Sequence, residues 1–346
     1  MATAPTPDTA RLLDADTQLA QPRPQPDPAH YLASRELADA VKVAQVLNMP
    51  LLLTGDPGTG KTQLAHRLAW ELGGPGAKPL RFDTKSNSTA TDLFYQFDSV
   101  RHYAASQLAA LQERPEPQAR QFIHYRALGL ALLKARRWLD NQALVSDRQA
   151  ADDLLRGATP CRSVVLIDEI DKAPRDFPND LLNQLEDDYR FDAPELSPEP
   201  TAWGIRADPL LAPLVVITSN SERQLPEAFL RRCVYHHISL PADDAERRDW
   251  LRRIVQGRFA GSALAQAEGS GWDDASSFFL ALLQQRQLQK PPSTAELLDW
   301  LRALDRLQLD WAQRLPRANA LLRATLGALL KTSDDLAAGQ RLWAAR

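Results

Sequence analysis

The chain has 346 residues, of which 44% are hydrophobic and 25% charged, and its net charge is −3. That composition builds one large or two ordinary globular domains, and the near-neutral balance gives no overall attraction for nucleic acid or an anionic membrane. Cys161 and Cys233 make neither a disulfide framework nor a metal-ligand spacing; no apolar run is long enough to span a bilayer and the N-terminus lacks a signal-peptide pattern, so a cytoplasmic protein is expected.

Residues 1–29 are polar and proline-rich and end in "QPRPQPDPA". Alternating prolines disfavour helix, so this segment is expected to be an extended tail outside any core. A helix is predicted over 34–47, stopped by "NMP", and a strand over 51–54. The strand runs into "GDPGTGKT" at 55–62, which leads into a helix.

The pattern is G-x-x-x-x-G-K-[ST]. Its glycines let successive backbone N–H groups curl inward around an anion, and the following helix N-terminus adds its dipole. Lys61 carries a full charge toward β- and γ-phosphates, and the Thr62 hydroxyl suits Mg²⁺. With average residue usage the pattern arises by chance in about 1% of chains this long. Gly55, Asp56, Pro57, Gly58, Thr59, Gly60, Lys61, Thr62 and Gln63 are therefore the candidate nucleotide contacts.

A second strand is predicted over 80–83, and 91–155 reads as helical with a break at "ERPEPQ". The apolar runs 164–167 and 214–218 read as strands buried on both faces, and 234–240 as a weaker one. Strands alternating with helices predict a parallel α/β sheet. Ligands bind at the carboxyl edge of such a sheet, and "VVLIDEID" brings Asp168 and Glu169 there. Asp168 can hold Mg²⁺ and Glu169 can polarise an attacking water; Asp171 is read as a helix-start residue. "LVVITSN" ends in Asn220, either a water-orienting amide or the start of a turn. "LPEAFLRRC" puts Arg231 and Arg232 before a strand, either as an arginine finger or as a surface pair. The segment 191–213, with Trp203 in it, reads as a hairpin. The basic clusters 134–137 and 247–253 read as solvated helix faces.

After Pro241 strands disappear. "DDAE" at 243–246 and "STAE" at 293–296 are capping-box signatures, and Leu297, Leu298, Leu301 and Leu304 share one helical face. The expected organisation is a tail (1–29), an α/β nucleotide-binding domain (30–240) and a helical domain (241–346).

"GDPGTGKT", "LIDEID", "VVITSN" and "LPEAFLRRC", in this order and followed by a helical lid, resemble an AAA+ ATPase. "STATDLFYQFD" and "IDEIDKAPRDFPNDLLNQLED" resemble the MoxR-type branch. The resemblance covers about residues 30–330. It implies a doubly wound αβα core with a helical lid, ATP and Mg²⁺ at subunit interfaces, and a homo-oligomeric ring, usually a hexamer. In members aligned to this pattern the finger directly precedes the strand, which favours Arg232 over Arg231. MoxR-type proteins act as chaperone-like remodellers of protein clients, often beside a von Willebrand factor A domain protein, and inserts such as 91–155 and 191–213 face the pore. One departure concerns the lid: Thr294 stands near the place of the usual sensor arginine, and either Lys290 replaces it or the lid lacks a cationic sensor.

A small-molecule kinase has no reason to carry a finger before a strand, and the base-reading Asn-Lys-x-Asp of a GTPase switch is absent. Two other readings stay open: a nucleic-acid-directed motor or nuclease-regulating ATPase, which the near-neutral charge disfavours, and a scaffold glued by ATP without turnover, which Glu169 disfavours.

Overall fold

The computed structural model describes residues 27–153, 155, 158–186, 189–197, 203–266, 269–307, 309–316 and 319–346. Its first half contains α1 (Arg35–Leu47), β1 (Leu51–Thr54), α2 (Lys61–Gly73), β2 (Leu80–Asp83), β3 (Tyr95–Phe97), α3 (Ser99–Leu111), β4 (Ile123–Tyr125), α4 (Ala127–Lys134), α5 (Trp138–Asn141) and α6 (Asp147–Asp152). Then come β5 (Val164–Asp168), α7 (Phe177–Glu186), β6 (Leu214–Thr218), α8 (Glu227–Leu230) and β7 (Val234–His237). The rest is helical: α9 (Asp244–Arg258), α10 (Ser270–Leu283), α11 (Thr294–Arg306), α12 (Ala320–Leu329) and α13 (Ser333–Ala344).

Five strands form a parallel sheet in the order β2-β5-β6-β1-β7. Leu51 lies between Val216 and Val234, and Val165 between Leu80 and Val215. The three central strands are apolar because both their faces are covered. Strand alternation sends Leu52, Val165, Ile167, Val215 and Ile217 into one layer. Leu51, Leu53, Leu166 and Val216 enter the other, against Leu37 and Val41 of α1 and Leu64 and Leu68 of α2. Each such side chain contributes about 1.5–3 kcal/mol by leaving water. The edge strands β2 and β7 alternate half-buried and exposed residues. Because β1, β6 and β5 are parallel neighbours, the segments after Thr54, Thr218 and Asp168 leave the sheet side by side at one edge.

The structure corrects the helical reading of 91–155. Residues 95–97 and 123–125 pair as antiparallel strands, Tyr95 opposite Tyr125 and Phe97 opposite Ile123. Runs of three residues are too short for their alternation to register. Tertiary packing decides them: the Phe191 ring lies 6.0 Å from that of Tyr95 and 6.2 Å from that of Tyr125. The expected hairpin over 191–213 reduces, among the described residues, to one antiparallel bridge between Phe191 and Ile205; residues 198–202 lie outside the described residues. Trp203 is 51% exposed.

The C-terminal helices surround an aromatic centre. Trp343 meets Phe278 edge-on at 4.8 Å and Trp300 at 6.1 Å, and Trp300 Nε1 donates to Thr325 Oγ1 at 2.9 Å. Leu297, Leu301 and Leu304 are fully buried there. The capping box of α11 is complete: Ser293 Oγ accepts from Glu296 N–H, and the Glu296 carboxylate accepts from Ser293 N–H at 2.8 Å. At α9, by contrast, Asp243 caps through the N–H groups of Ala245 and Glu246. Ser293→Ala is expected to cost about 1 kcal/mol, read as a lower urea midpoint at unchanged m. Among the described residues no helix is long and apolar enough to cross a membrane.

Candidate active site

The loop after β1 takes a backbone that glycine alone adopts easily. Gly55, Gly58 and Gly60 have φ of +141°, +79° and +94°. A β-carbon on Gly55 would overlap the Ile238 carbonyl, and one on Gly58 would come within 2.8 Å of Ala295 N. The loop thus has no room for side chains where it meets β7 and the lid. Gly60 starts α2 without a side-chain cap, which leaves the first helical N–H groups available to an anion. Lys61 is buried, and its Nζ donates to the carbonyls of Gly55 at 2.6 Å and Asp56 at 3.0 Å. Burial pulls Lys61 below the usual lysine range, against the pull of Asp56, Asp171, Asp168 and Glu169.

Asp168 is buried at the end of β5. Its Oδ1 accepts from Thr62 Oγ1 at 3.1 Å and Thr218 Oγ1 at 2.6 Å, and its Oδ2 pairs with Arg81 at 2.9 Å. Thr62 and Asp168 thus stand together as hard oxygen donors, a set that fits Mg²⁺. The next residue, Glu169, sits in the left-handed region at φ 57° and ψ 53°. That conformation costs about 1–2 kcal/mol in a residue with a β-carbon, and such strain clusters at functional sites. The turn is held by Glu169 N–H donating to Thr218 Oγ1 at 2.9 Å. The Glu169 carboxylate meets Asn220 Nδ2 at 3.3 Å through Oε1 and Lys172 Nζ at 2.5 Å through Oε2. That bond raises Lys172 above its usual range.

Asp171 does more than start a helix turn. It is buried, and its carboxylate accepts from the backbone N–H groups of Asn220 at 3.3 Å and Glu222 at 3.0 Å. It fastens the segment after β6 to the segment after β5, and so sets where Asn220 stands.

A cavity of about 420 Å³ opens over these groups, a size suited to a small ligand. Residues 57–63 line it together with Asp168, Glu169, Thr218 and Asn220. Gly55 and Asp56 lie behind, holding Lys61 through their carbonyls. The remaining walls come from residues 27–28 and 30–32, α9 and α11. Arg67 of α2 fixes the first of these walls by donating to the carbonyls of Ala29 at 2.7 Å and Pro28 at 3.3 Å, and the Tyr31 ring faces Gly60. Composition groups 27–29 with the tail, but their contacts belong to the cavity; residues 1–26 lie outside the described residues.

Three expected contributors are elsewhere. Lys290 does not line the cavity; it is exposed, and its backbone N–H donates to Asp335 at 3.0 Å. Arg231 and Arg232 are exposed at the end of α8, and Arg231 pairs with Glu227 at 3.4 Å. They precede β7, whose Val234 is level with Leu51 and whose His237 is level with Thr54. The loop at 55–60 leaves the opposite end of these strands, roughly 15 Å farther along at 3.3 Å per residue. Neither arginine reaches the loop of its own chain.

Three contributors escaped the sequence reading. Thr218 is visible in hindsight as the residue ending the run "LVVIT", whereas Arg81 and Arg258 carry no local signal. Arg258, the last residue of α9, lines the cavity from the lid side.

No curated protein matches the chain. The family model for the AAA domain of the dynein-related subfamily matches residues 50–233, just over half of the sequence, from the residue before β1 to the residue before β7. The glycine loop, the strand-end acidic pair and the residues following β6 all fall inside that match, and the chain belongs to the AAA domain family, dynein-related subfamily.

Proposed function

We propose that the protein is a subunit of an ATP-hydrolysing ring, of the MoxR type, that remodels or activates a protein partner. The family accounts for an ATP-driven activity in general. The observation that carries the ring reading is the distance between Arg232 and the loop of its own chain: the site needs a finger from a neighbour, as the rings common in this family supply. The reading takes a hexamer as the assembly. The partner is a protein client, a von Willebrand factor A domain protein being the first to test.

In this reading Lys61 and the N–H groups of residues 58–62 hold the β- and γ-phosphates. Thr62 and Asp168 hold Mg²⁺, which when bound supplies positive charge to the phosphate oxygens. Thr218 and Arg81 fix the Asp168 carboxylate. Glu169 accepts the proton of the attacking water, and Asn220 orients that water beside it. The neighbour's Arg232 neutralises charge on the transferring phosphoryl group. Residues 27–32 and the lid cover the remainder of the nucleotide.

Mg²⁺-dependent release of phosphate from ATP by the purified protein is the direct test. Lys61→Ala is expected to lose nucleotide binding in a titration with fluorescent ADP. Turnover that is stimulated by DNA or RNA and falls steeply with salt would favour a nucleic-acid client instead.

A further inference from the structure

The lid brings to the cavity two polar groups that the described residues leave unsatisfied. Arg258 Nε and Nη1 are buried, and among the described residues no acceptor lies within hydrogen-bond distance of either. Thr294 Oγ1, at the first residue of α11, is buried and unpartnered in the same way. Both residues line the cavity that also holds Lys61 and Thr62.

Stability does not explain this arrangement. A helix C-terminus favours a positive charge, but here it gives those two nitrogens no acceptor, and a buried charged donor without one is costly. The neighbouring charges do little to help. Asp299 is held by Arg302 at 2.7 Å, and burial and Arg302 together pull Arg258 below the usual arginine range. What would satisfy the guanidinium and the hydroxyl of two residues that line one cavity is a ligand rich in anionic oxygens. The start of α11 already stands over the loop, since a β-carbon on Gly58 would come within 3.0 Å of Ser293 Oγ.

We propose that Arg258 and Thr294 are the lid's contacts to the polyphosphate of the bound nucleotide. The cation that the lid contributes would thus come from the end of α9 and not from Lys290 or the start of α11. The proposal rests on the nucleotide reading above. It gives the lid a direct means of sensing how many phosphates the loop holds, because one polyphosphate would join Lys61 on the core to Arg258 on the lid.

The test is binding, measured with Mg²⁺ by calorimetry for ADP and a non-hydrolysable ATP analogue, and by competition against fluorescent ADP for adenosine. Arg258→Ala is expected to weaken ADP and the analogue about 10- to 100-fold and to leave adenosine unchanged. Arg258→Lys should recover part of the loss, Thr294→Ala should show a smaller loss in the same ligands, and Lys290→Ala should match the parent. The melting temperature of ligand-free Arg258→Ala should equal or exceed the parent's, because a poorly satisfied buried charge is removed. Unchanged affinities would overturn the proposal, as would an equal loss for adenosine, which would make Arg258 a base or ribose contact. A lowered ligand-free melting temperature with uniform losses would make it structural. A parent protein that binds none of the three ligands would instead refute the nucleotide reading itself.

Discussion

Arg232→Ala is expected to bind ATP as the parent does and to hydrolyse it about 10³–10⁵-fold more slowly, the range an arginine finger contributes to phosphoryl transfer. Arg232 precedes β7 and the glycine loop follows β1, and these parallel neighbours place the two at opposite ends of the sheet. The arginine therefore serves a neighbouring subunit or has no role in turnover. A Lys61→Ala subunit is also inactive but carries an intact finger. Mixing the two variants should restore part of the activity, because one class of interface then joins an intact loop to an intact arginine. Turnover is followed against mixing ratio, with subunit exchange confirmed by labelled protein. Full exchange without recovery would argue against independent shared sites. Loss of activity in Arg231→Ala with parent activity in Arg232→Ala would transfer the role to Arg231, whose ion pair with Glu227 at 3.4 Å is exposed and weak.

Glu169→Gln is expected to retain ATP binding and to lose about 10²–10⁴-fold in turnover, the contribution of a positioned general base. The amide keeps the shape of the carboxylate and its contact with Asn220 while removing the basic oxygen. It also removes the ion pair with Lys172. Lys172→Ala separates the two effects: if the ion pair only positions Glu169, this variant keeps most of the parent rate. Single-turnover phosphate release in both variants, beside nucleotide titration, checks the assignment. Parent turnover by Glu169→Gln would remove Glu169 from the chemistry.

Much of the fold is legible along the chain because its signals are local. The runs at 51–54 and 214–218 are strands over those same residues, since parallel strands covered on both faces need unbroken apolar sequence, and 80–83 is an edge strand whose Leu80 and Phe82 alternate with exposed Arg81 and Asp83. The loop is legible because a phosphate cradle needs glycines at fixed spacing before a helix. Strands β3 and β4 were hidden because three residues carry no countable period and their pairing depends on Phe191, far along the chain. Asp171 stands at the helix start its position predicts, but its second role stays hidden because its partners, the N–H groups of Asn220 and Glu222, lie about fifty residues away.

The sequence by itself determined the α/β core with its helical lid, the glycine loop, and the strand-end carboxylates Asp168 and Glu169. Each rests on residue type and spacing within a few positions. Only the tertiary structure decided which side chains share the cavity. Thr218 joins Asp168 because β5 and β6 are neighbours in register, and Arg258 lines the cavity where Lys290 does not, because the last turn of α9 reaches it while the backbone N–H of Lys290 is bound to Asp335. It also set Arg232 at the far end of the sheet from its own loop. Side chains are brought together by strand order and helix packing, which depend on contacts between distant segments, and no window of sequence contains both partners of such a contact.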